Sequence, residues 1–556
     1  MKTQGTGVLI GSAVGAFLTA VLIAVFYAGW RLADLPFVPF DVFDWTTRVL
    51  PGAFIEFVIG AMVAAIRGLH LGPTSVVAKI IEQAMGIVGL FITGVFAGAV
   101  FFGALRALRG RYAYISGFFL GLIAAIPAVL ISSFPHIVKQ TVMLNKCIDC
   151  GKTSIVLPLV GALWILIVFA SWGMAIGWAY LRLSEVSAPA QQGLDLQPSV
   201  QRVNRRQFLI RLAGYTASIT VSGAMVGLLS ERHSRMKMES LMPWSATHIL
   251  PNASAAVKPA SGTRPEYTSL ERHYRIDINT VPPKIDGMMW RLKIGGLVEK
   301  PLSFTLDDLL RRYEPMHQFV TLSCISNPVG GDLIGTTRWS GVSLKSFLSD
   351  LGLKPNATHL KISSADGFWE VLPLETVMAD ERVMLAYAWD GVPLHEDHGF
   401  PLRVYIPDVH GMKQPKWVES IEAMDHWEPG YWVVRGWDKV AKMKATSVID
   451  TIAVDMTIIS ADQRKLVPIG GIAHAGARGI SKVEVRIDDG LWQAAEIRTP
   501  LSQLTWVIWR YDWPFQQGKH TFTVRCYDGS STPQIVLPMP PAPSGASGLF
   551  SKSQKL

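Results

Sequence analysis

Cysteine is scarce in this chain, with four among 556 residues: a close pair, Cys147 and Cys150, and two isolated residues, Cys324 and Cys526. No histidine follows Cys150, which removes covalent haem attachment and leaves a disulfide, redox exchange or metal binding open for the pair. Long uncharged runs are absent beyond Ser230, so whatever enters lipid lies before it. Within those runs there is no histidine, and Glu56 is essentially the lone ionisable residue, which argues against a membrane haem and against a transport path. His70 and His136, just past two runs, are the sole candidates for a shared ligand site. Haem is therefore not expected. No basic stretch with interleaved aromatics occurs, so the net charge of +9 implies no nucleic acid.

What is present is grease, unevenly spread. Hydrophobic residues make up 49% of the chain, and uncharged runs fill 8–30, 84–105, 112–134, 153–180 and 212–230, each long enough to cross a bilayer of ~30 Å as a helix. A sixth run, 52–66, is shorter and carries Glu56. Arg106, Arg109 and Arg111 form one basic cluster, and Arg202, Arg205 and Arg206 another. Counting six spans puts both clusters in the cytoplasm and everything after residue 230 outside it; Arg67 and Lys79 fall on the outer side against the trend. Asn204-Arg205-Arg206-Gln207-Phe208-Leu209, before a mildly apolar stretch, looks like an internal twin-arginine export signal or an ordinary basic flank.

Residues 231–270, with Pro243, Pro251, Pro259 and Pro265, read as a linker. From 276 onward, alternating strands at 290–294, 318–322, 359–362 and 402–406 are interrupted by helical patterns at 305–312 and 343–351, the mark of a mixed α+β domain. After 447 the helical periodicity stops. Strands 482–487 and 521–526 are each closed by an Asp-Gly turn, Asp489-Gly490 and Asp528-Gly529, which reads as a β-sandwich with Cys526 in its core. Cys324 differs, because it follows the strand Phe319-Val320-Thr321-Leu322 and opens the loop Ser323-Cys324-Ile325-Ser326-Asn327-Pro328-Val329-Gly330-Gly331. A thiol there can serve as a soft metal ligand, a nucleophile or a buried structural group.

The order and spacing of several segments resemble the sulfite oxidase family of molybdopterin oxidoreductases. They are Trp290-Arg291-Leu292 with Pro301 and Leu306-Asp307-Asp308-Leu309, the Cys324 loop, Arg338-Trp339-Ser340-Gly341-Val342, and Ser364-Ala365-Asp366-Gly367. Leu385-Ala386-Tyr387, His398-Gly399-Phe400-Pro401-Leu402-Arg403, Gly411-Met412-Lys413 and Lys416-Trp417-Val418 continue the series. Gly476-Ala477-Arg478-Gly479 and Trp506 extend it into the second domain. The resemblance implies a molybdenum–molybdopterin cofactor with Cys324 as its thiolate ligand and oxygen-atom transfer as the reaction. It further implies Arg403, His410, Lys413 and Lys416, with Asn279 and Ser364, as cofactor contacts, and Tyr387 and Arg478 as catalytic groups beside Cys324.

Two departures bear on substrate. Pro328 and Val329 stand where arginines would be expected after the cysteine, and Asp277 stands at a second substrate arginine, so a neutral sulfoxide rivals a small oxyanion such as sulfite. The expected architecture is multi-domain: a transmembrane helical bundle of about five spans (1–200), a twin-arginine-like segment with the last span (201–230) and the linker (231–270). A molybdopterin-binding domain of sulfite oxidase type (271–446), an immunoglobulin-like, dimerisation-type β-sandwich (447–540) and a tail (541–556) follow. The expected protein is a multi-pass cell-membrane oxidoreductase, lipid-bound, with its catalytic domain extracytoplasmic and a separate electron partner, a cytochrome or the quinone pool. A homodimer is left open. A tethered sensor that keeps the fold without the metal is the non-enzymatic alternative, and retention of Cys324 argues against it.

Overall fold

Uncharged runs become helix before Leu241 and alternating sequence becomes sheet after Trp290. The computed structural model describes residues 6–107, 112–132, 156–185, 205–238 and 242–556. Cys147, Cys150, His136, Arg109, Arg111 and Arg202 lie outside the described residues. The chain divides into two units, one of 1–50 with 79–240 and one of 51–78 with 241–556.

Among the described residues, four helices are long and apolar enough to cross a membrane: Gly7–Ala33, Thr74–Arg106, Ala113–Ser132 and Leu159–Leu183, all in the first unit apart from residues 74–78. With no apolar driving force between helices in lipid, such helices pair through small residues that let backbones approach. Gly117 and Gly121 pack against Gly173 and Gly177 in this way, and Gly11 and Gly15 against Gly98 and Gly94. Trp172 adds a hydrogen bond from Nε1 to Thr19 Oγ1 at 3.2 Å. The expected last span is part of a longer helix, Arg205–Met238, which is not among the four. The sixth expected span, 52–66, also differs. Helix Gly52–Gly68 has 17 residues, about 25 Å at 1.5 Å per residue, shorter than a ~30 Å hydrocarbon core; it is not among the four and groups with the second unit.

The second unit begins its sheets where the sequence alternates. One five-stranded sheet runs in the order Leu302–Phe304, Leu292–Gly296, Val418–Met424, His359–Ser364, Trp369–Pro373. A second holds Met316–Ser323, Ile334–Ser343, Met384–Trp389 and Val392–Pro393, with Arg403–Tyr405 also paired to Met384–Trp389. Their shared core includes Leu292, Phe347, Leu360, Leu385, Leu402 and Val404. The helical patterns at 305 and 343 form with the caps their sequences encode. Thr305 Oγ1 accepts from the Asp308 amide at 2.9 Å while Asp308 Oδ2 accepts from the Thr305 amide, a complete capping box. Ser343 caps helix Leu344–Ser349.

The C-terminal strands form one eight-stranded sheet that folds back on itself into a nearly closed sandwich around Val467, Trp509, Phe522 and Cys526. Residues 541–556, expected as a tail, contribute its edge strand Phe550–Lys555, paired with Lys519–Asp528. The expected linker is likewise docked, not loose. Ser245 bonds the Asp390 carboxylate through both its amide and hydroxyl, and buried Glu266 pairs with Arg498 at 3.0 Å. The expected linker also begins in helix, since Arg205–Met238 runs through its first residues and Trp244–Thr247 adds a short turn of helix; prolines and small residues say nothing about docking.

Candidate active site

Strand ends set the site. Met316–Ser323 delivers Cys324 at its C-terminal end, His359–Ser364 delivers Ser364, and Arg403 and Lys416 stand at or just before the first residues of Arg403–Tyr405 and Val418–Met424. Val418 pairs with Ser364, which brings the end of His359–Ser364 beside the start of Val418–Met424. The cysteine loop is tied down by its own backbone. The Cys324 amide donates to Leu333 O (3.0 Å), the Asn327 amide to Cys324 O (3.1 Å), and the Leu333 amide to Asn327 Oδ1 (3.0 Å). Cys324 Sγ lies 2.9 Å from Ser326 Oγ. Burial pushes the thiol up, and the Ser326 hydroxyl and nearby amides oppose it in part.

Around this thiol the side chains are buried and mostly neutral. Tyr274 stacks on His273 with centroids 5.3 Å apart; burial holds its phenol well above the ordinary value, and the neighbouring Cys324 raises it further. Burial likewise depresses His273 to about 4, His410 to about 4 and His474 to about 3, and puts His398 well below its usual value. Arg403 donates from Nη1 to His398 O at 3.0 Å and lies 4.4 Å over the Trp339 ring. Its guanidinium is lowered to about 10 by burial. Lys416, lowered to about 8 by burial, bonds Asp277 and the carbonyls of Ile276 and Asp397, each at 3.2 Å. Asp277 also holds Arg275, and its carboxylate is wholly buried. Lys413 pairs with buried Glu370 at 3.0 Å.

The structure thus brings Cys324, Arg403, Lys416 and His410 into one neighbourhood, with His410 Nδ1 3.4 Å from the Ser323 carbonyl. Asn279 is half-buried on the segment that follows Asp277. Two expected residues are placed otherwise. Tyr387 is half-buried at a bulge between Ala386, opposite Gly341, and Ala388, opposite Ser340. It packs against the core cluster of Leu385 and Val404, whereas Cys324 belongs to the cluster of Tyr274, Leu322 and Trp339. Arg478 spends its guanidinium on Asp408 (2.5 Å), Asp528 (3.0 Å) and the Met443 carbonyl (2.7 Å). It clamps the sandwich to the preceding domain, as a cation between two carboxylates must. His273, Tyr274, His398 and His474 were missed. None carries a local signal, because each acquires its place through tertiary convergence.

Ser364 Oγ, Arg403 Nε, and the Nε2 atoms of His273, His410 and His474 are buried with no hydrogen-bond partner among the described residues. Each such group costs ~1–3 kcal/mol when left unsatisfied. Five together suit a polar, anionic group such as molybdopterin. Among the described residues no cluster of three or more His, Cys, Asp or Glu side chains could hold a metal ion. A metal here would take the Cys324 thiolate from the protein and its other sulfurs from the pterin, so these residues fit the molybdenum cofactor.

Comparison with known proteins agrees with this geometry. Residues 278–432 match the oxidoreductase molybdopterin binding domain. Mouse mitochondrial sulfite oxidase is 28% identical over 361 residues, 55% of this chain and 63% of that protein, so the chain spans less than two thirds of that relative's length. Barley nitrate reductase [NAD(P)H] is 27% identical, covering 42% of this chain and 32% of its own length. The uncharacterised oxidoreductase YuiH of Bacillus subtilis is 31% identical over 159 residues, 76% of its length and 28% of this chain. With Cys324 held at a strand end among buried cofactor-type donors, this chain belongs to the sulfite oxidase family of molybdopterin-binding oxidoreductases.

Proposed function

We propose that this protein is a membrane-anchored molybdenum oxidoreductase that catalyses oxygen-atom transfer on the extracytoplasmic side. The observation that carries the reading is the buried Cys324 thiol, near donors that lack a partner among the described residues. When bound, the molybdenum cofactor supplies a two-electron centre for oxygen-atom transfer. The protein's part is binding, orientation and electrostatics. Cys324 would ligate the metal, while Arg403 Nε, Ser364 Oγ and His410 Nε2 offer the pterin fixed hydrogen-bonding groups, with Asn279 and Lys416 beside them. Lys413 reaches the site as half of an ion pair with Glu370, and so positions rather than adds net charge. Tyr274 is the phenol whose ionisation is coupled to Cys324; staying neutral, it can donate a hydrogen bond beside the sulfur. Tyr387, expected in that role, packs against the core cluster of Leu385 and Val404. Arg478 acts on the site by holding the sandwich against Asp408.

A sulfoxide reductase is the second reading, and Asp277 favours it. Its buried carboxylate bonds both Arg275 and Lys416, and Asp397 adds a second negative charge on Arg275; with the surrounding histidines neutral, Arg403 is the main cation left to attract an anion, fewer than a dianion calls for. The four apolar helices support anchoring, and the basic clusters of the sequence support an outward-facing catalytic unit. An external electron partner, a cytochrome or the quinone pool, completes the scheme. Stopped-flow absorbance of the matured protein tests it: sulfite should reduce an oxidised site if the first reading holds, and methionine sulfoxide should oxidise a reduced one if the second holds. Silence with both substrate classes in molybdenum-loaded protein would contradict the oxygen-transfer assignment.

A further inference from the structure

The second unit carries an apolar surface that its own core does not use. On helix Gly52–Gly68, Phe54 is 51% and Phe57 72% exposed, and just beyond it Leu69 is 70% exposed. The helix is not adrift. Gly52 packs against the Arg435 carbonyl, and Glu56 Oε1 approaches Gly436. The turn it meets, 430–440, adds Val434 at 53% and Val440 at 61% exposure. Aromatics and cations alternate along the same turn: Arg435 lies 3.6 Å over the Tyr431 ring and Lys439 3.9 Å over the Trp427 ring.

We propose that this face, helix Gly52–Gly68 with turn 430–440, is a lipid-contacting surface seated in the interfacial layer of the bilayer. The inference rests on the membrane-anchored reading above. Large apolar side chains flanked by the half-buried rings of Trp427 and Trp432 and by Arg435 and Lys439 match the bilayer–water boundary, where rings sit at headgroup level and long cations reach outward. Chain continuity supports the same occupant. Residues 69–73 lead from this helix directly into helix Thr74–Ala107, whose 34 residues extend on the order of 50 Å, well beyond a ~30 Å hydrocarbon core. The surplus falls at its first turns, which carry the Lys79–Glu82 ion pair ahead of the uncharged run 84–105, so these turns stand in the interfacial layer. The Thr74 amide, at the start of that helix, donates to Asp332 Oδ2 at 2.7 Å.

The face also backs the cofactor loop. Trp437 and Ala441 of the turn share one buried cluster with Ile325, next to Cys324, and Met412, next to Lys413. Gly430 packs directly on the Glu370 carboxylate that holds Lys413. Lipid contact at the turn would thus bear on the packing immediately behind the site.

The test uses the full chain in lipid nanodiscs, in a Cys147→Ser/Cys150→Ser background, with a nitroxide at Val434→Cys or Val440→Cys. Ile92→Cys, 60% exposed on helix Thr74–Ala107, and Leu491→Cys, 83% exposed on the sandwich, serve as references. Molybdenum content verifies that each labelled protein is folded. Labels at 434 and 440 should shift towards collision with oxygen and away from a water-soluble nickel chelate, as at 92 and unlike 491. Chelate-dominated collision at 434 and 440, with 92 in lipid, would overturn the proposal, as would shielding from both quenchers, which means protein covers the face. A water-exposed label at 92 would overturn the membrane reading and this proposal with it.

Discussion

Replacing Lys413 with methionine removes the cation from a buried ion pair and leaves the Glu370 carboxylate alone. The two side chains are 4% and 0% exposed and 3.0 Å apart, and Glu370 Oε2 already lacks a partner. Removing one member of such a pair costs ~3–5 kcal/mol, because the remaining charge stays buried. For a unit of this size that corresponds to a fall in unfolding midpoint on the order of 5–15 °C. Lys413→Met/Glu370→Gln should recover most of the loss, since no uncompensated charge remains. The pH dependence has a definite sign. Burial raises the Glu370 carboxyl and Lys413 opposes that rise, so without Lys413 its folded-state value climbs further above the unfolded one. A group raised on folding contributes stability below its unfolded value and loses it as pH increases through the folded one. The single variant's deficit should therefore shrink as pH falls from neutrality towards the ordinary glutamate range. Thermal unfolding of the purified protein, followed by tryptophan fluorescence across pH, measures both effects. A double variant as unstable as the single, or a deficit that grows on acidification, would refute the reasoning.

Other consequences follow from the same geometry. Tyr274→Phe removes the hydroxyl beside Cys324 and should lower turnover about 100-fold, with a smaller loss for Tyr387→Phe; steady-state kinetics showing the reverse order would return the role to Tyr387. Gly173→Leu forces a side chain against the Gly117 and Gly121 backbone, costing ~1–3 kcal/mol of bundle packing. Thermal aggregation in detergent should begin earlier, while molybdenum content per folded protein is unchanged. Arg478→Met breaks the clamp between Asp408 and Asp528. Limited proteolysis should then separate the sandwich from the preceding domain more readily, and an unchanged digestion pattern would contradict the clamp.

Local signals in the sequence located the elements that local chemistry decides. The capped helices at 305 and 343, the Asp-Gly turns and the strand-then-loop around Cys324 all depend on residues near one another in the chain. Apolarity alone misassigned the company of helix 52–68, since it reports a wish to leave water and not what the helix packs against. Composition could not show that the 231–270 segment docks through Ser245 and Glu266, or that 550–555 closes a sheet. The site's neutral interior was hidden for a related reason. His273, Tyr274, His398 and His474 come from separate segments and are unremarkable until burial removes their charge. The two carboxylates that Arg478 meets, 70 and 50 residues away, carry no sign in sequence of where they will lie.

The central claim is that Cys324 ties a molybdenum cofactor to this chain. Metal and pterin analysis of the matured protein, wild type beside Cys324→Ser, tests it most directly. The account predicts stoichiometric molybdenum with pterin in the wild type, and a thiolate-to-metal absorption that the serine variant lacks. Absence of molybdenum from properly matured protein, or identical spectra for the two, would contradict it.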